Sequence, residues 1–319
     1  MTETAKLTAS DAVDADNFGR SVSISGDWAI VGAYQSDDSG TDSGSAYLFK
    51  KPIAGWTNMT ETKEITGSDT EAGDNFGDSI SIDGNYALVG APAEDGAGLE
   101  RGAAYVFYKD EGSTDNWGQQ AKLTAGDIQD DWLFAIHKLS ISGNYAAVGC
   151  MGNNDNGSGA GAVYIYNKDE GGTDNWGQQA KLTASDGAAD DNLGYSASMY
   201  GDTVIAGAKG DDSGAGSAYI FGKPGTGWQN MTETEKISAG DGSSNDQFGY
   251  ETSISGNYNI VGAPTEDDEG RTDSGAAYIF ESSSSSIVPE FKDFIYILTI
   301  LAAISMMYKN IPQYSYNKI

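Results

Sequence analysis

The sequence predicts an all-β protein, a β-propeller built from five four-stranded repeats of about 57 residues each. Two observations lead to this prediction. A Phe-Gly or Leu-Gly pair followed by a Gly-Ala pair returns along the chain at a nearly constant interval. Each copy also contains four short segments of strand character, and no stretch before residue 287 has helical periodicity. Four short strands in every unit of a regular repeat are typical of propeller blades.

The first copy shows how one blade is assembled. Its strand-like segments cover residues 5–9, 20–25, 28–33 and 45–49, and apolar Val22 and Ile24 alternate with serines. Gly26 and Asp27 join the second segment to the third, and the other copies have Gly-Asn or Gly-Asp there. Glycine tolerates the positive φ of a two-residue turn, so we predict an antiparallel hairpin in each copy. The copies start at Phe18, Phe76, Phe134, Leu193 and Phe248.

The two ends of the repeat region complement each other. Residues 1–11 match residues 59–69 and 231–241, whereas the last copy stops after Phe280 without this segment. We therefore expect the N-terminal strand to complete the last blade and close the ring, which leaves no open sheet edge. In an alternative interpretation the sequence starts inside a repeat, and further blades and a signal peptide precede it. No signal peptide is visible in the sequence itself.

Aromatic residues recur at two repeat positions. Stacking on a sugar or a cofactor is one interpretation, but recurrence in every blade favours packing between strands. The residues are Trp56, Trp117, Trp176 and Trp228 at one position, and Tyr47, Tyr105, Tyr164, Tyr219 and Tyr278 at the other.

The chain is strongly acidic, with 47 acidic residues against 18 basic ones and a net charge of −29. Most of the acids fall in two loops of each copy, the one before the Phe-Gly pair and the one after the Gly-Ala pair. Up-and-down strand order places these loops on one face of a propeller. Such a face repels nucleic acid and attracts cations or basic partners.

In the first of these loops, two aspartates recur five residues apart. One interpretation is a Ca²⁺ site, because calcium binds several carboxylate and carbonyl oxygens in a flexible loop. The other is that each aspartate accepts hydrogen bonds from its own loop backbone. Both stay open. The pairs are Asp11 and Asp16, Asp69 and Asp74, Asp186 and Asp191, and Asp241 and Asp246, while the third copy has Asp127 and Asp131.

The second loop varies more between copies, as expected of a surface that contacts a ligand, although simple solvation also explains its charge. The candidate residues on this ligand face are Asp37, Asp38, Asp42, Asp267, Asp268 and Asp273.

The Phe-Gly…Gly-Ala-Pro pattern, closed by Gly-x-Ala-Tyr-x-Phe, resembles the FG-GAP repeats of integrin α-chain heads. It is similar to the variety found in tandem in microbial surface proteins. The resemblance implies a cell-surface propeller used for adhesion or binding, commonly with seven blades. Integrin repeats place an Asp-x-Asp/Asn-x-Asp-Gly loop between the two elements, whereas this chain has only the tight turn there. The family's calcium site is therefore not carried over to any residue.

The composition changes after Phe280. Residues 281–288 form a Ser-rich tether, and residues 289–319 contain an apolar run, 294–308, followed by Lys309. A buried core helix is one interpretation, but the flanking tether and lysine favour a membrane segment with the propeller (1–280) outside. Pro289, Glu290 and Phe291 resemble the PEF-CTERM sorting signals of archaea. That resemblance implies an archaeosortase that removes the helix and attaches the product to the cell surface.

Other chemistry-bearing patterns are sparse. The single cysteine, Cys150, replaces an alanine in a buried strand and is expected to pack as a small hydrophobe. No Ser-His-Asp set or His/Cys metal cluster is present, which predicts that the chain is not an enzyme. Asn58, Asn156 and Asn230 lie in sequons and are candidate N-glycosylation sites.

Together these features predict a non-enzymatic, surface-anchored propeller. It would bind or adhere to a surface protein or a glycan through its acidic face, with Ca²⁺ as the candidate cofactor. A structural cell-envelope component without a discrete ligand is the alternative. A carbohydrate- or lipid-active enzyme is a third interpretation, for which the sequence offers no catalytic set.

Overall fold

A computed structural model describes residues 1–96, 98–267 and 271–282. Met1–Glu281 forms one compact unit. Asp268 and the Pro289, Glu290 and Phe291 motif lie outside the described residues, as do the tether after Ser282 and the apolar run. Within the described part of the chain, no helix is both long and apolar enough to cross a membrane.

The described residues are almost entirely strands and turns, with one short helical segment. In chain order the elements are β1 (Leu7–Thr8), β2 (Ser21–Ser25), β3 (Trp28–Ala33), β4 (Ser45–Lys50), β5 (Met59–Thr60), β6 (Lys63–Ile65), β7 (Ser79–Asp83), β8 (Tyr86–Ala91), β9 (Ala103–Tyr108), β10 (Gly118–Leu123), β11 (Phe134–Ser142), β12 (Tyr145–Cys150), β13 (Ala162–Asn167), β14 (Gly177–Thr183), β15 (Leu193–Tyr200), β16 (Thr203–Ala208), α1 (Asp211–Gly214), β17 (Ser217–Gly222), β18 (Met231–Thr232), β19 (Glu235–Ile237), β20 (Glu251–Ser255), β21 (Tyr258–Ala263) and β22 (Ala276–Glu281).

The strands form five successive antiparallel sheets, called blades 1 to 5 below. Blade 1 has the order β2-β3-β4-β6, blade 2 β7-β8-β9-β10, blade 3 β11-β12-β13-β14, blade 4 β15-β16-β17-β19, and blade 5 β20-β21-β22. The predicted hairpins are confirmed, and Gly26 has the positive φ, 57°, that its turn requires. The third copy is one residue longer between its two motifs, and β11 absorbs this residue as an irregularity in its pairing with β12.

The repeated glycines form the contact between neighbouring blades. The first strands of the blades (β2, β7, β11, β15 and β20) pack side by side in chain order. A Cβ atom on Gly32 would lie 2.0 Å from the Gly77 carbonyl oxygen of the next blade, so no larger residue fits. Ser21 Oγ donates to the same carbonyl at 2.7 Å. The glycines of the Phe-Gly…Gly-Ala pattern thus allow neighbouring blades to pack closely.

The recurring aromatic residues pack inside the blades, as the sequence predicts. Tyr105, Tyr164 and Tyr219 are fully buried. The Phe of each Phe-Gly pair meets the blade's tyrosine edge-to-face, with ring centroids 5.5 Å apart for Phe76 and Tyr105. Cys150 is also fully buried, and burial raises the pKa of its thiol. These residues form the blade core.

The N-terminal strand does not complete the last blade in the described residues, contrary to expectation. Strand β1 pairs in parallel with β5, as β14 pairs with β18, and blade 5 has three strands. Asn58 Oδ1 accepts the Lys6 N–H at 2.8 Å, which ties β1 to the repeat that follows it. Val22 on β2 and Ile279 on β22 are 69% and 70% exposed, so part of the apolar surface of blades 1 and 5 is not covered by another strand of the described residues.

Candidate functional site: the acidic loop corners

At one end of each blade, the two acidic loops meet the outermost strand, and we call this region the loop corner. In blade 2, Lys122 Nζ on β10 lies 2.7 Å from Asp69 of the first loop and 2.7 Å from Glu94 of the second. Tyr105 Oη donates to Asp69 at 2.8 Å. The two loops thus lie at the same end of this blade, as predicted, and their acids also share one lysine. A lysine that the sequence analysis did not single out lies between their acids.

The corners of blades 3 and 4 repeat this arrangement. Lys181 Nζ contacts Asp127 at 2.8 Å and also Asp155. In blade 4 the contact distances are 2.7 Å from Lys236 Nζ to Asp186 and 2.6 Å to Asp211. Each of these three corners thus contains a lysine ammonium between carboxylates from both loops.

Strand register places the lysine there. The outermost strand pairs so that Lys236 lies directly opposite the core tyrosine Tyr219. Burial lowers the pKa of Lys236, but hydrogen bonds to Asp186 and Asp211 raise it more, so its pKa is above the usual value. Burial raises the pKa of Asp186, but the hydrogen bonds from Lys236 and Tyr219 lower it by more. The pKa of Asp186 is therefore below its usual value. Lys236 and Asp186 therefore hold each other in the ionised state.

Blade 1 differs from these corners at one position. Glu64 lies opposite Tyr47, where blades 2, 3 and 4 have lysine. Carboxylate oxygens of Asp11, Asp38 and Glu64 lie within 4.8 Å of one another, the one group of this kind among the described residues. Ser45 Oγ donates to Asp38 at 2.9 Å and to Glu64 at 3.0 Å. Burial and the nearby carboxylates of Asp38 and Asp11 raise the pKa of Glu64 to about 7, against the lowering effect of Ser45.

In the four pairs that are five residues apart, the second aspartate closes its own loop instead of joining the corner. Asp16 Oδ2 accepts the Val13 N–H at 2.7 Å, and its side chain is buried. Burial raises the pKa of Asp74 to about 6. The other capping bonds run from Glu71 N to Asp74, from Ala188 N to Asp191 and from Ser243 N to Asp246, at 2.7, 2.6 and 2.6 Å.

The first aspartates lie at the corners. Asp241 accepts a hydrogen bond from Tyr278 Oη at 2.9 Å in blade 5, as Asp69 does from its tyrosine in blade 2. In the described chain, no group of metal-ligand type contains both members of a pair. The paired-aspartate spacing therefore reflects two separate roles, one at the corner and one in the loop cap.

Some acids of the second loops accept hydrogen bonds from the backbone of their own loop. Asp37 Oδ1 accepts the N–H of Asp42 at 2.9 Å, and Asp267 Oδ1 accepts the N–H of Asp273 at 2.7 Å. Of the predicted ligand-face residues that the structure describes, Asp38 is the one at the carboxylate group of blade 1.

The three sequon asparagines are exposed and take part in backbone contacts. Asn230 Oδ1 accepts the Lys181 N–H at 2.8 Å, which matches the Asn58 bond to β1. Asn156 Nδ2 donates to the Ala184 carbonyl at 3.2 Å. Asn58 and Asn230 thus join the outer strand of one repeat to the next.

A second concave region lies where the first strands of the blades converge. This cavity of about 260 Å³ is lined by residues of all five blades, including an Arg20–Asp78 ion pair of 3.1 Å. The His137 ring lies 4.1 Å from the Tyr195 ring, and Lys209 Nζ lies 3.8 Å from the centre of that same tyrosine ring. The cavity mixes both charge signs with aromatic surface.

The sequence does contain the signal for the corner residues. The outermost strands read Ala121-Lys122-Leu123, Ala180-Lys181-Leu182 and Glu235-Lys236-Ile237, but Lys63-Glu64-Ile65 in blade 1. Comparison of this repeat position across blades would have identified both the lysines and the exception.

Repeated antiparallel sheets whose first strands line one cavity define a propeller-like, all-β repeat protein. The FG-GAP repeat model matches residues 1–49, 59–107, 117–166, 176–221 and 231–280. The chain therefore belongs to the FG-GAP repeat family. No curated protein matches the sequence.

Among solved structures, the chain is similar to hydrazine synthase from Kuenenia stuttgartiensis. The identity is 13% and the TM-score 0.51, over 86% of this chain and 65% of that one. The chain thus spans less than two thirds of that protein's length. The likeness shows the fold alone, but the protein that shares this fold is an enzyme. The prediction that the chain is not an enzyme is corrected accordingly, because the absence of a familiar motif does not exclude catalysis on this fold.

Proposed function

We propose that this protein is a cell-surface propeller that binds a surface protein or a glycan through the face formed by its loop corners. The observation that carries the proposal is the meeting of two acidic loops at the same end of successive blades. Exposed acids such as Asp14, Glu71 and Asp190 surround the corners without a lysine partner among the described ion pairs. A face of this charge attracts basic or cation-bridged partners.

Surface attachment is part of the same proposal and rests on the sequence of the tail. The Pro289-Glu290-Phe291 motif and the apolar run after it would direct the chain to an archaeosortase or anchor it in the membrane. The exposed Asn58, Asn156 and Asn230 would accept glycans on the outer surface. Mass spectrometry of the mature C-terminus in the producing cells distinguishes a removed tail from a retained one.

Binding to intact producing cells tests the role of the acidic face. The labelled full chain should bind saturably, and the triple variant Asp14→Asn, Glu71→Gln, Asp190→Asn should bind at least tenfold more weakly. The matched control Asp27→Asn, Asp83→Asn, Asp202→Asn removes three charges in or directly beside the hairpin turns and should bind like the unaltered protein. Equal losses in both variants would show that the corner face is not the binding surface.

A structural envelope component is the second candidate, and one observation favours it. Many recurring acids are used inside the protein, as loop caps or lysine partners, and are not left for a ligand. Absence of saturable binding to cells and to a glycan array would support this alternative.

A further inference from the structure

We propose that the cavity where the first strands of the five blades converge, called the central cavity below, binds one small hydroxylated monocarboxylate of the size of a hexuronate. Lys209 and His137 are assigned as its main partners. The central cavity is separate from the loop corners, and the inference does not depend on the proposed surface role.

The lining of the central cavity departs from the repeat. One lining residue comes from the same repeat position in every blade, directly after the Phe-Gly pair or, in the longer third copy, one residue later. At a repeat position that serves packing, such as that of the core tyrosines, every blade has the same residue. Four different kinds of side chain at the cavity position are instead expected of a specific site built on a repeated framework. The residues are Arg20, Asp78, His137, Tyr195 and Tyr250.

Both acids that line the central cavity already have a basic partner. Arg20 Nε lies 3.1 Å from Asp78, and Lys138 Nζ lies 3.3 Å from Glu251. Two acids and two bases give this lining no net charge. It therefore has no excess negative charge for a further cation to balance.

A third cation, Lys209, adds a positive charge that no acid balances. Its ammonium lies 3.8 Å from the centre of the Tyr195 ring and 5.5 Å from that of Tyr250, and both tyrosines line the cavity. Burial lowers the pKa of Lys209, and no ion pair within the described part of the chain involves it. A partly buried charge without a partner is unfavourable, and a bound anion would supply the counterion. The repeat does not require lysine here, because the equivalent residues are Tyr34, Pro92, Met151 and Pro264.

His137 offers a second group without a partner. Its ring lies 4.1 Å from that of Tyr195, and among the described residues neither of its ring nitrogens makes a hydrogen bond. Burial lowers its pKa most, and the charges of Arg20 and Lys209 add to this effect. Asp78 acts in the opposite direction, but the pKa stays below its usual value, so the ring is neutral at pH 7. A neutral imidazole donates one hydrogen bond and accepts another, which suits a ligand hydroxyl.

The size and polarity of the central cavity indicate the ligand. Its volume of about 260 Å³ lies below the usual range of ligand pockets, about 300–1,000 Å³, so it suits a single sugar-sized molecule. Eight of the ten lining residues are polar or charged, which favours a hydroxylated ligand over an apolar one. One unbalanced ammonium matches the single charge of a carboxylate better than the charge of roughly −2 on a phosphate ester. A hexuronate combines these properties.

The competing interpretation is that Lys209 only packs on the tyrosine rings. Lys209→Met removes the charge and keeps a side chain of similar length on the rings. The matched control is Lys223→Met, because Lys223 Nζ also lies over a tyrosine ring, 4.7 Å from the centre of Tyr145, outside the central cavity. His137→Phe keeps an aromatic ring beside Tyr195 and removes both ring nitrogens.

Calorimetric titration of the full chain at pH 7.5 with the sodium salts of D-glucuronate, D-galacturonate and D-mannuronate measures binding. At least one of the three should bind saturably, and the corresponding neutral hexose should bind about tenfold more weakly, because it lacks the carboxylate. Lys209→Met should weaken binding by a similar factor and His137→Phe by about threefold, since the latter removes uncharged hydrogen bonds. Lys223→Met should bind like the unaltered protein.

A hexuronate reaches a protein as a free sugar acid or as the end of an acidic glycan, and its methyl glycoside distinguishes the two sources. The glycoside should keep the affinity if the central cavity takes the end of a glycan. It should lose the affinity if the cavity takes the free sugar acid.

Circular dichroism of each variant checks that it is folded. The comparison of hexuronate with neutral hexose uses the unaltered protein, so it stays decisive if a variant unfolds. Three results would overturn the proposal: no binding of any of the three hexuronates, equal affinity for the hexuronate and the hexose, or equal affinity in Lys209→Met. Tighter binding of glucose 6-phosphate would overturn the assignment of a monocarboxylate.

Discussion

Blades 1 and 3 present two versions of the same corner. Each brings together an aspartate of the first loop, an aspartate of the second loop and a residue opposite the core tyrosine. In blade 3 that residue is Lys181, which pairs with both acids, whereas in blade 1 it is Glu64, which adds a third negative charge. The difference teaches that the acids are not uniformly available to a ligand. In blades 2, 3 and 4 a lysine offsets part of the negative charge of the corner, and in blade 1 no lysine does so.

The same contrast separates the two aspartates of each repeated pair. Asp16 is buried and holds its own loop, while Asp11 is exposed at the corner. A constant spacing in sequence therefore combines a structural residue with a candidate ligand. A variant in which both aspartates of a pair are substituted would therefore combine the loss of a loop cap with the loss of a corner carboxylate.

The largest effect is expected where a corner whose acids pair with a lysine loses that lysine. Lys236→Met leaves Asp211 buried without its ammonium partner, and we expect a loss of about 2 kcal/mol of folding stability once partial solvent exposure is considered. Urea unfolding measures it. Lys63→Met, on an exposed residue, serves as the control and should change stability by less than about 0.5 kcal/mol. Equal effects of the two would show that the corner pair is not a stabilising unit.

The next effect concerns the loop cap. Asp16→Ala leaves the Val13 N–H without its acceptor and should cost about 1–2 kcal/mol. Asp14→Ala in the same loop removes an exposed acid and should cost little. Thermal unfolding of both variants, with and without a chelator, provides the comparison. A chelator-dependent difference for Asp16→Ala would assign Asp16 to a cation site after all.

The smallest effect is the pH dependence that Glu64 of blade 1 contributes. The pKa of Glu64 is raised to about 7 in the folded protein from an ordinary 4.5, so the folded state binds more protons than the unfolded one between these values. Folding stability in a chelator should therefore fall as pH rises from about 5 to 7, by about 1 kcal/mol after allowance for exposure.

The residues that face Glu64 are Asp11, Asp38, Ser45 and Tyr47, and Asp74, with a pKa of about 6, acts in the same direction elsewhere. The difference between the unaltered protein and Glu64→Gln isolates the contribution of Glu64. Parallel pH profiles for the two proteins would contradict the prediction.

Much of the fold could be predicted from sequence because its signals are local. The hairpin turn at Gly26-Asp27 and the strand Trp28–Ala33 appear in the structure where the sequence placed them. The corners could not be predicted in this way. Lys122 and Asp69 are 53 residues apart and meet only because β10 pairs with β9 in one register.

The sequence by itself determined the repeat, the strands, the packing role of Tyr105 and its counterparts, and the concentration of acids in two loops. These features depend on local alternation, turn chemistry and residue size, which one repeat displays without its neighbours. The tertiary structure decided which acids pair with lysine, which cap loops and which remain together at Asp11, Asp38 and Glu64. It also placed β1 beside β5 instead of β22. These outcomes depend on strand register and on contacts between distant segments, because charges separated by many residues interact only after folding brings them within a few ångströms.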